Sequence, residues 1–198
     1  MKTNYVLIDY ENVQPEAMAV LNEEHFKVIV FVGANQTKIS FEAASAIQRM
    51  GDRAEYVRIS GNGSNALDFH IAFYIGQLAM QVPDAYFHIV SKDTGFDPLI
   101  QHLKSKKILA GRSKDVTDIP IVKAANSKTP KERLDVVIAD LQRRGSAKPR
   151  TVKTLGSTIN SIFQKQLSDQ DLTDLLTALE QKGIIVTVGT KVTYALPV

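Results

Sequence analysis

Tyr5-Val6-Leu7-Ile8-Asp9 is the stretch on which the fold turns. A short apolar run without polar interruption, ending on an acid, reads as a strand buried on both faces. Such strands belong to parallel sheets covered by helices. A second run of this kind, Val28-Ile29-Val30-Phe31-Val32, closes at Gly33. Residues 54–59 and 86–90 read as a third and fourth strand, and 107–109 as a short fifth. Helix signals lie between them. Pro15 suits the first turn of a helix through about Leu21. A second helix is expected near residues 39–50, stopped by Gly51. Leu67, Ile71, Tyr74, Ile75 and Leu78 then recur at helical spacing up to Pro83, and another helix runs from Pro98 to about Lys104. Strands alternating with helices predict an α/β class with a parallel sheet.

Beyond residue 113 the pattern changes. Residues 114–130, with Asp115, Asp118, Pro120, Asn126 and Pro130, read as a linker. Helices follow at 131–144, 152–164 and 169–182, the last ended by Gly183. Residues 184–188 and 191–196 form a hairpin about Gly189-Thr190. Three helices and a terminal hairpin are the plan of a winged helix. The expected organisation is thus 1–113, a linker 114–130, and a winged-helix-like domain 131–198.

Composition excludes several classes. No apolar run approaches the ~20 residues of a membrane span. No cysteine is present, which rules out disulfides and thiolate metal sites. The opening residues lack a signal-peptide pattern, so a cytoplasmic location and no membrane partner are expected. The net charge of +3 is unevenly spread. Residues 1–125 carry 13 Lys and Arg against 14 Asp and Glu, and residues 126–198 carry 11 against 7. The basic end is the place to expect nucleic acid.

The acids of the first domain share one feature. Asp9, with Glu11 and Asn12 just beyond it, leaves strand one. Asp68 opens the long helix after strand three. Asp93 and Asp97 follow strand four. In an open parallel sheet, ligands bind beyond the carboxyl ends of the strands. Singly, each acid has a bland reading: Asp97 as a helix N-cap before Pro98, Asp68 in a capping box begun by Asn65, Asp9 and Asp93 as turn residues. Together they would converge on one pocket, rimmed by the glycine loop Gly61-Asn62-Gly63-Ser64-Asn65. Clustered carboxylates repel one another unless a cation or proton sits between them. Mg²⁺ or Mn²⁺ suits such oxygen ligands, and can activate a water for attack on phosphorus.

Two motifs sharpen this. Leu7-Ile8-Asp9-Tyr10-Glu11-Asn12-Val13 resembles the opening D-x-x-N signature of the NYN family of PIN-like nucleases. Ser91-Lys92-Asp93-Thr94-Gly95-Phe96-Asp97-Pro98 resembles the S-x-D block of the same family, and Asp68 stands where that family has its helix acid. The resemblance covers residues 3–110. It implies a PIN-like three-layer α/β/α sandwich and a Mg²⁺- or Mn²⁺-dependent ribonuclease with Asp9, Asp68, Asp93 and Asp97 as metal-site acids. Asn12 would orient Asp9 or hold a metal-bound water.

Residues 131–198 resemble, more loosely, the LOTUS-type winged helices that accompany NYN domains and are linked to RNA binding. The third helix carries Asp169, Asp171, Asp174 and Glu180, so it would repel phosphate. The cations sit instead at Arg143, Arg144, Lys148, Arg150 and Lys153, a candidate RNA-contact patch. A homodimer is compatible with the sequence. Two other functions compete. One is a PIN-like module that holds RNA or protein without cutting. The other is an aspartyl phosphatase, disfavoured because Glu11 stands where a second aspartate is usual.

Overall fold

The computed structural model describes residues 2–63, 65–165 and 167–197. The chain divides into two compact units, Met1–Ile119 and Pro120–Val198.

The first unit is built on five parallel strands: β1 (Asn4–Asp9), β2 (Phe26–Val32), β3 (Ala54–Arg58), β4 (Tyr86–Val90) and β5 (Leu109–Ser113). Their order is β3-β2-β1-β4-β5. The chain moves outward from β1 to β3, then returns to place β4 on the other side of β1. The order therefore reverses between β1 and β4, and all six residues of β1 are buried. Helices α1 (Phe41–Met50), α2 (Ala66–Gln81) and α3 (Phe96–Ser105) cover the sheet. Because strand side chains alternate between faces, Tyr5, Leu7, Ile29, Phe31, Phe87 and Ile89 point one way. They pack with Leu67, Ile71 and Ile75 of α2 and Phe96 and Leu103 of α3. The parallel α/β class expected from the apolar runs is the observed fold.

Three local expectations give way. The helix expected from Pro15 is only a 3-10 turn, Met18–Leu21. The amides of Asn12 and Val13 both turn back to the carbonyl of Asp9, which delays any coil beyond them. The fifth strand begins at Leu109 rather than 107. Lys107 adopts a left-handed conformation (φ 62°) and the amide of Ile108 caps the carbonyl of Leu103, closing α3 first. The stretch read as a linker, 114–130, carries a 3-10 turn, Val116–Asp118, and a helix, α4 (Pro120–Asn126). Val116, Ile119, Val122 and Ala124 are buried, so the segment splits between the two units rather than spanning them as exposed chain.

The second unit continues from α4 with α5 (Pro130–Arg143), α6 (Val152–Ile162) and α7 (Asp169–Gln181), then an antiparallel hairpin of β6 (Ile185–Val188) and β7 (Lys191–Tyr194). Each of α5, α6 and α7 starts with a capping box, at Thr129/Glu132, Thr151/Thr154 and Ser168/Asp171. Leu134, Val137, Leu141, Leu155, Ile159, Leu179 and Val192 form its core. Among the described residues, no helix is long and apolar enough to cross a membrane.

Candidate active site

The acids gather where the strand order reverses. Asp9 is the last residue of β1 and is buried. One carboxylate oxygen, Oδ1, accepts the backbone N–H of Asn12 at 3.2 Å. The other, Oδ2, accepts the hydroxyl of Ser91 at 2.9 Å. Ser91 is fully buried at the exit of β4, and its oxygen also accepts the backbone N–H of Asp93 at 3.1 Å. Asn12 completes the link: its side-chain oxygen accepts the backbone N–H of Lys92 at 3.0 Å. The exits of β1 and β4 are thus joined by two side-chain bonds, Ser91 to Asp9 and Lys92 to Asn12, which fix the Asp9 carboxylate and the Asp93 loop. Asp93 Oδ1 in turn accepts the N–H of Gly95 at 2.7 Å, tightening its own turn.

Asp68 approaches from α2. Its pKa is pushed up to about 6, first by burial and then by the charges of Asp9, Asp93 and Glu11. Asp9 is also raised, mainly by burial; its bonds from Ser91 and Asn12 oppose the shift. These mutual effects place Asp9, Asp68, Asp93 and Glu11 in one electrostatic cluster. No capping box explains Asp68, because Asn65 is left-handed (φ 63°) and its side chain caps nothing. Ser64, in the same loop, lies outside the described residues.

Asp97 is placed differently. Both of its oxygens accept from Arg112, at 2.8 and 3.0 Å. This pair holds the Asp97 carboxyl below its usual range. Arg112 also donates to the backbone carbonyl of Ser91 at 3.3 Å. Both oxygens of Asp97, expected among the metal-site acids, are thus engaged by Arg112, which links α3 to the exit of β4. Asp97 is not the N-cap of α3; that position is Gly95.

Three further residues complete the arrangement. Ser91 lies inside the S-x-D block but bears no charge to draw attention. Glu11 follows Asp9 by two residues, and its carboxylate lies so close to Gly33 that any side chain there would collide with it. Arg112 had one signal, a charge inside a strand, which demands a partner when buried. His88, on β4, is buried and hydrogen-bonded to Asn4 at 2.9 Å.

The donor set suits a hard divalent cation. It offers carboxylate oxygens only, and the charges of Asp9, Asp93 and Glu11 add to burial in raising Asp68, so that a positive charge would relieve it. Among the described residues, no group of three or more His, Cys, Asp or Glu side chains is arranged to hold a metal ion. Mg²⁺ ordinarily uses one or two carboxylates and keeps several waters, so a closed cage is not required.

The basic patch of the second unit is partly consumed. Arg143 and Arg144 both pair with the buried Asp140, each at 2.5 Å. Lys148 bonds to the carbonyl of Gly145 and lies 6.0 Å from the Tyr194 ring centre. Arg150 and Lys153 are exposed. On α7, Asp171 pairs with Arg133 at 2.6 Å. A cleft of about 230 Å³ in this unit, lined by Val152, Leu155, Leu176 and Ile185, holds one acid, Glu180; no comparable chemistry gathers there.

No curated protein and no solved structure matches the chain significantly. One family model does, that of a PIN domain (PIN7), over residues 3–113. PIN domains are typically nucleases, and they generally use divalent metal ions. The match takes in more than half of the 198 residues and coincides with the sheet and all the clustered acids. On that sheet, that acid cluster and that match, the chain belongs to the PIN domain family.

Proposed function

We propose that the first unit is a metal-dependent ribonuclease, of the NYN type within the PIN family, hydrolysing RNA phosphodiester bonds in the cytoplasm. The observation that carries this reading is the convergence of Asp9, Asp68 and Asp93 at the reversal point between β1 and β4. Asp9, Asp68 and Asp93 are the acids that would hold the ion, Mg²⁺ or Mn²⁺, one or two of them directly and the rest through its waters, with Glu11 at the edge of the cluster. When bound, such an ion supplies an activated water and neutralises charge on the departing oxygen. The chain's own residues do the rest. Ser91 and Asn12 orient the Asp9 carboxylate while leaving lone pairs on both oxygens. Asp68 keeps its proton below about pH 6 and gives it up above. Arg112, held by Asp97, fixes the Ser91 carbonyl and so the loop bearing Asp93. Lys92 and Arg58, exposed at strand exits, offer charge to a phosphate backbone. The second unit is a winged-helix-like RNA-binding module that uses Arg150 and Lys153, with Arg143, Arg144 and Lys148 contributing less because they are engaged internally.

A binding module that holds RNA without cutting is the second reading. The incomplete ligand set among the described residues favours it. One experiment separates the two. Single-stranded and structured RNA are incubated with the protein in Mn²⁺, Mg²⁺ or EDTA, beside an Asp9→Asn/Asp93→Asn variant. Metal-dependent cutting, lost in the variant, supports the nuclease. RNA that is bound but never cut supports the silent module.

A further inference from the structure

Helix α2 is apolar on both of its sides. Leu67, Ile71 and Ile75 are buried against the sheet. On the other side, Phe69, Phe73 and Met80 stand 70%, 65% and 86% exposed. With Gly76 they recur at i, i+4, i+7 and i+11, the spacing of a helix-packing seam. A helix on the surface of a protein ordinarily turns charge toward water on that side. Here no Asp, Glu, Lys or Arg occurs from Phe69 to Gln81. Gln77 and Gln81, both exposed, are the polar residues flanking the seam.

Gly76 is a second, separate sign. A glycine in mid-helix loosens the helix relative to alanine. A Cβ added at Gly76 would meet nothing in the chain, so no internal packing calls for its absence. A backbone approached closely from outside does call for it.

We propose that this seam is a two-fold interface with a second copy of the chain, α2 packing antiparallel on α2. The seam is self-complementary in that direction: Phe69 meets the partner's Met80, and Phe73 fills the hollow over the partner's Gly76. Taking about 200 Å² for each large side chain, the three expose on the order of 400 Å², about half of the ~800 Å² each partner gives to a standard interface. The glutamines supply the polar rim. The absence of charge suits a copy of itself, because no like charges meet across the axis. It does not suit RNA, whose phosphates would find no cation along the helix.

Sedimentation equilibrium of the full chain at micromolar concentration tests this. The expected mass is twice 21.9 kDa for the unaltered protein. Phe73→Glu and Met80→Glu each give a monomer with an unchanged circular dichroism spectrum; both sites are exposed, so the fold is kept. Gly76→Ala raises the melting temperature of the monomer yet weakens self-association by about tenfold or more. A protein that stays monomeric throughout the range overturns the proposal. So does a dimer whose mass neither glutamate variant changes.

Discussion

The Ser91 hydroxyl donates to Asp9 Oδ2 at 2.9 Å, joining two residues 82 positions apart. The same hydroxyl oxygen receives the backbone N–H of Asp93. One small side chain thereby sets two of the clustered acids. Ser91→Ala leaves a carboxylate oxygen and an amide without partners in a buried place, at a cost of about 1–3 kcal/mol. It also removes an interaction that lowers the Asp9 pKa. The acid limb of the activity profile should therefore move to higher pH, because Asp9 must be ionised to hold a cation. Urea unfolding and a pH–rate series check the two effects, and an unmoved acid limb would deny Ser91 its electrostatic part.

Asp68 destabilises the metal-free protein at neutral pH. Its pKa is raised from 3.8 to about 6 in the folded chain. The stability it contributes is full below about pH 3.8 and is lost as pH rises through about 6. Because the group is only partly buried, solvent screening reduces the effect to about 1 kcal/mol. Melting in EDTA should show Asp68→Asn more stable than the unaltered protein at pH 8, with the difference gone at low pH. The same variant should lose most metal-dependent cutting. Equal melting temperatures at pH 8 would contradict the cluster.

Asp93 and Asp97 should behave differently despite their common segment. Asp93→Asn should abolish the stabilisation produced by Mn²⁺, which a ligand confers in proportion to its affinity. Asp97→Asn should preserve that stabilisation while breaking the pair with Arg112. Asp97 is 48% exposed, so the double-mutant coupling with Arg112→Ala should be about 1 kcal/mol. With its pKa held low, Asp97 adds stability at neutral pH that is lost as the carboxyl protonates in acid. Thermal shift with and without Mn²⁺ distinguishes the two aspartates.

In the second unit, internal pairing separates cations that the sequence grouped together. Arg150→Ala and Lys153→Ala should each weaken RNA binding and lower the salt slope by about 0.7 for single strands. Arg143→Ala should act mainly on stability, because it strips a partner from the buried Asp140. Filter binding across a salt series, set beside melting curves, reads both. A salt slope reduced as much by Arg143→Ala as by Lys153→Ala would mean the internal pairs open on RNA.

Much of this was legible before any coordinates. The uninterrupted runs at 5–8 and 28–32 announce strands buried on both faces, and the alternation around them announces the α/β class. Strand ends and the family resemblance singled out Asp9, Asp68, Asp93 and Asp97. What stayed hidden depends on direction in space. Asp97 has the same charge as Asp93, and only the position of Arg112 on the neighbouring strand decides where its oxygens point. Serine at 91 reads as punctuation until β1 lies beside β4. The turn after Asp9 suppresses the helix that Pro15 suggests, because hydrogen bonds to one carbonyl outweigh a local preference.

The neighbours of β1 have a consequence for how the protein comes into being. Residues 4–9 must lie between β2 and a strand that starts at Tyr86. During synthesis β1 has one edge uncovered until β4 leaves the ribosome, and pairing across such a distance is slow. The acid cluster cannot exist before then, since Asp93 follows that strand. A partial chain is thus without the nuclease centre, and its open edge is the point where a stalled or truncated product would aggregate. The helices of the second unit each carry their own cap and form from nearby residues, so the early halves of the sheet, not the later helices, set the pace of assembly.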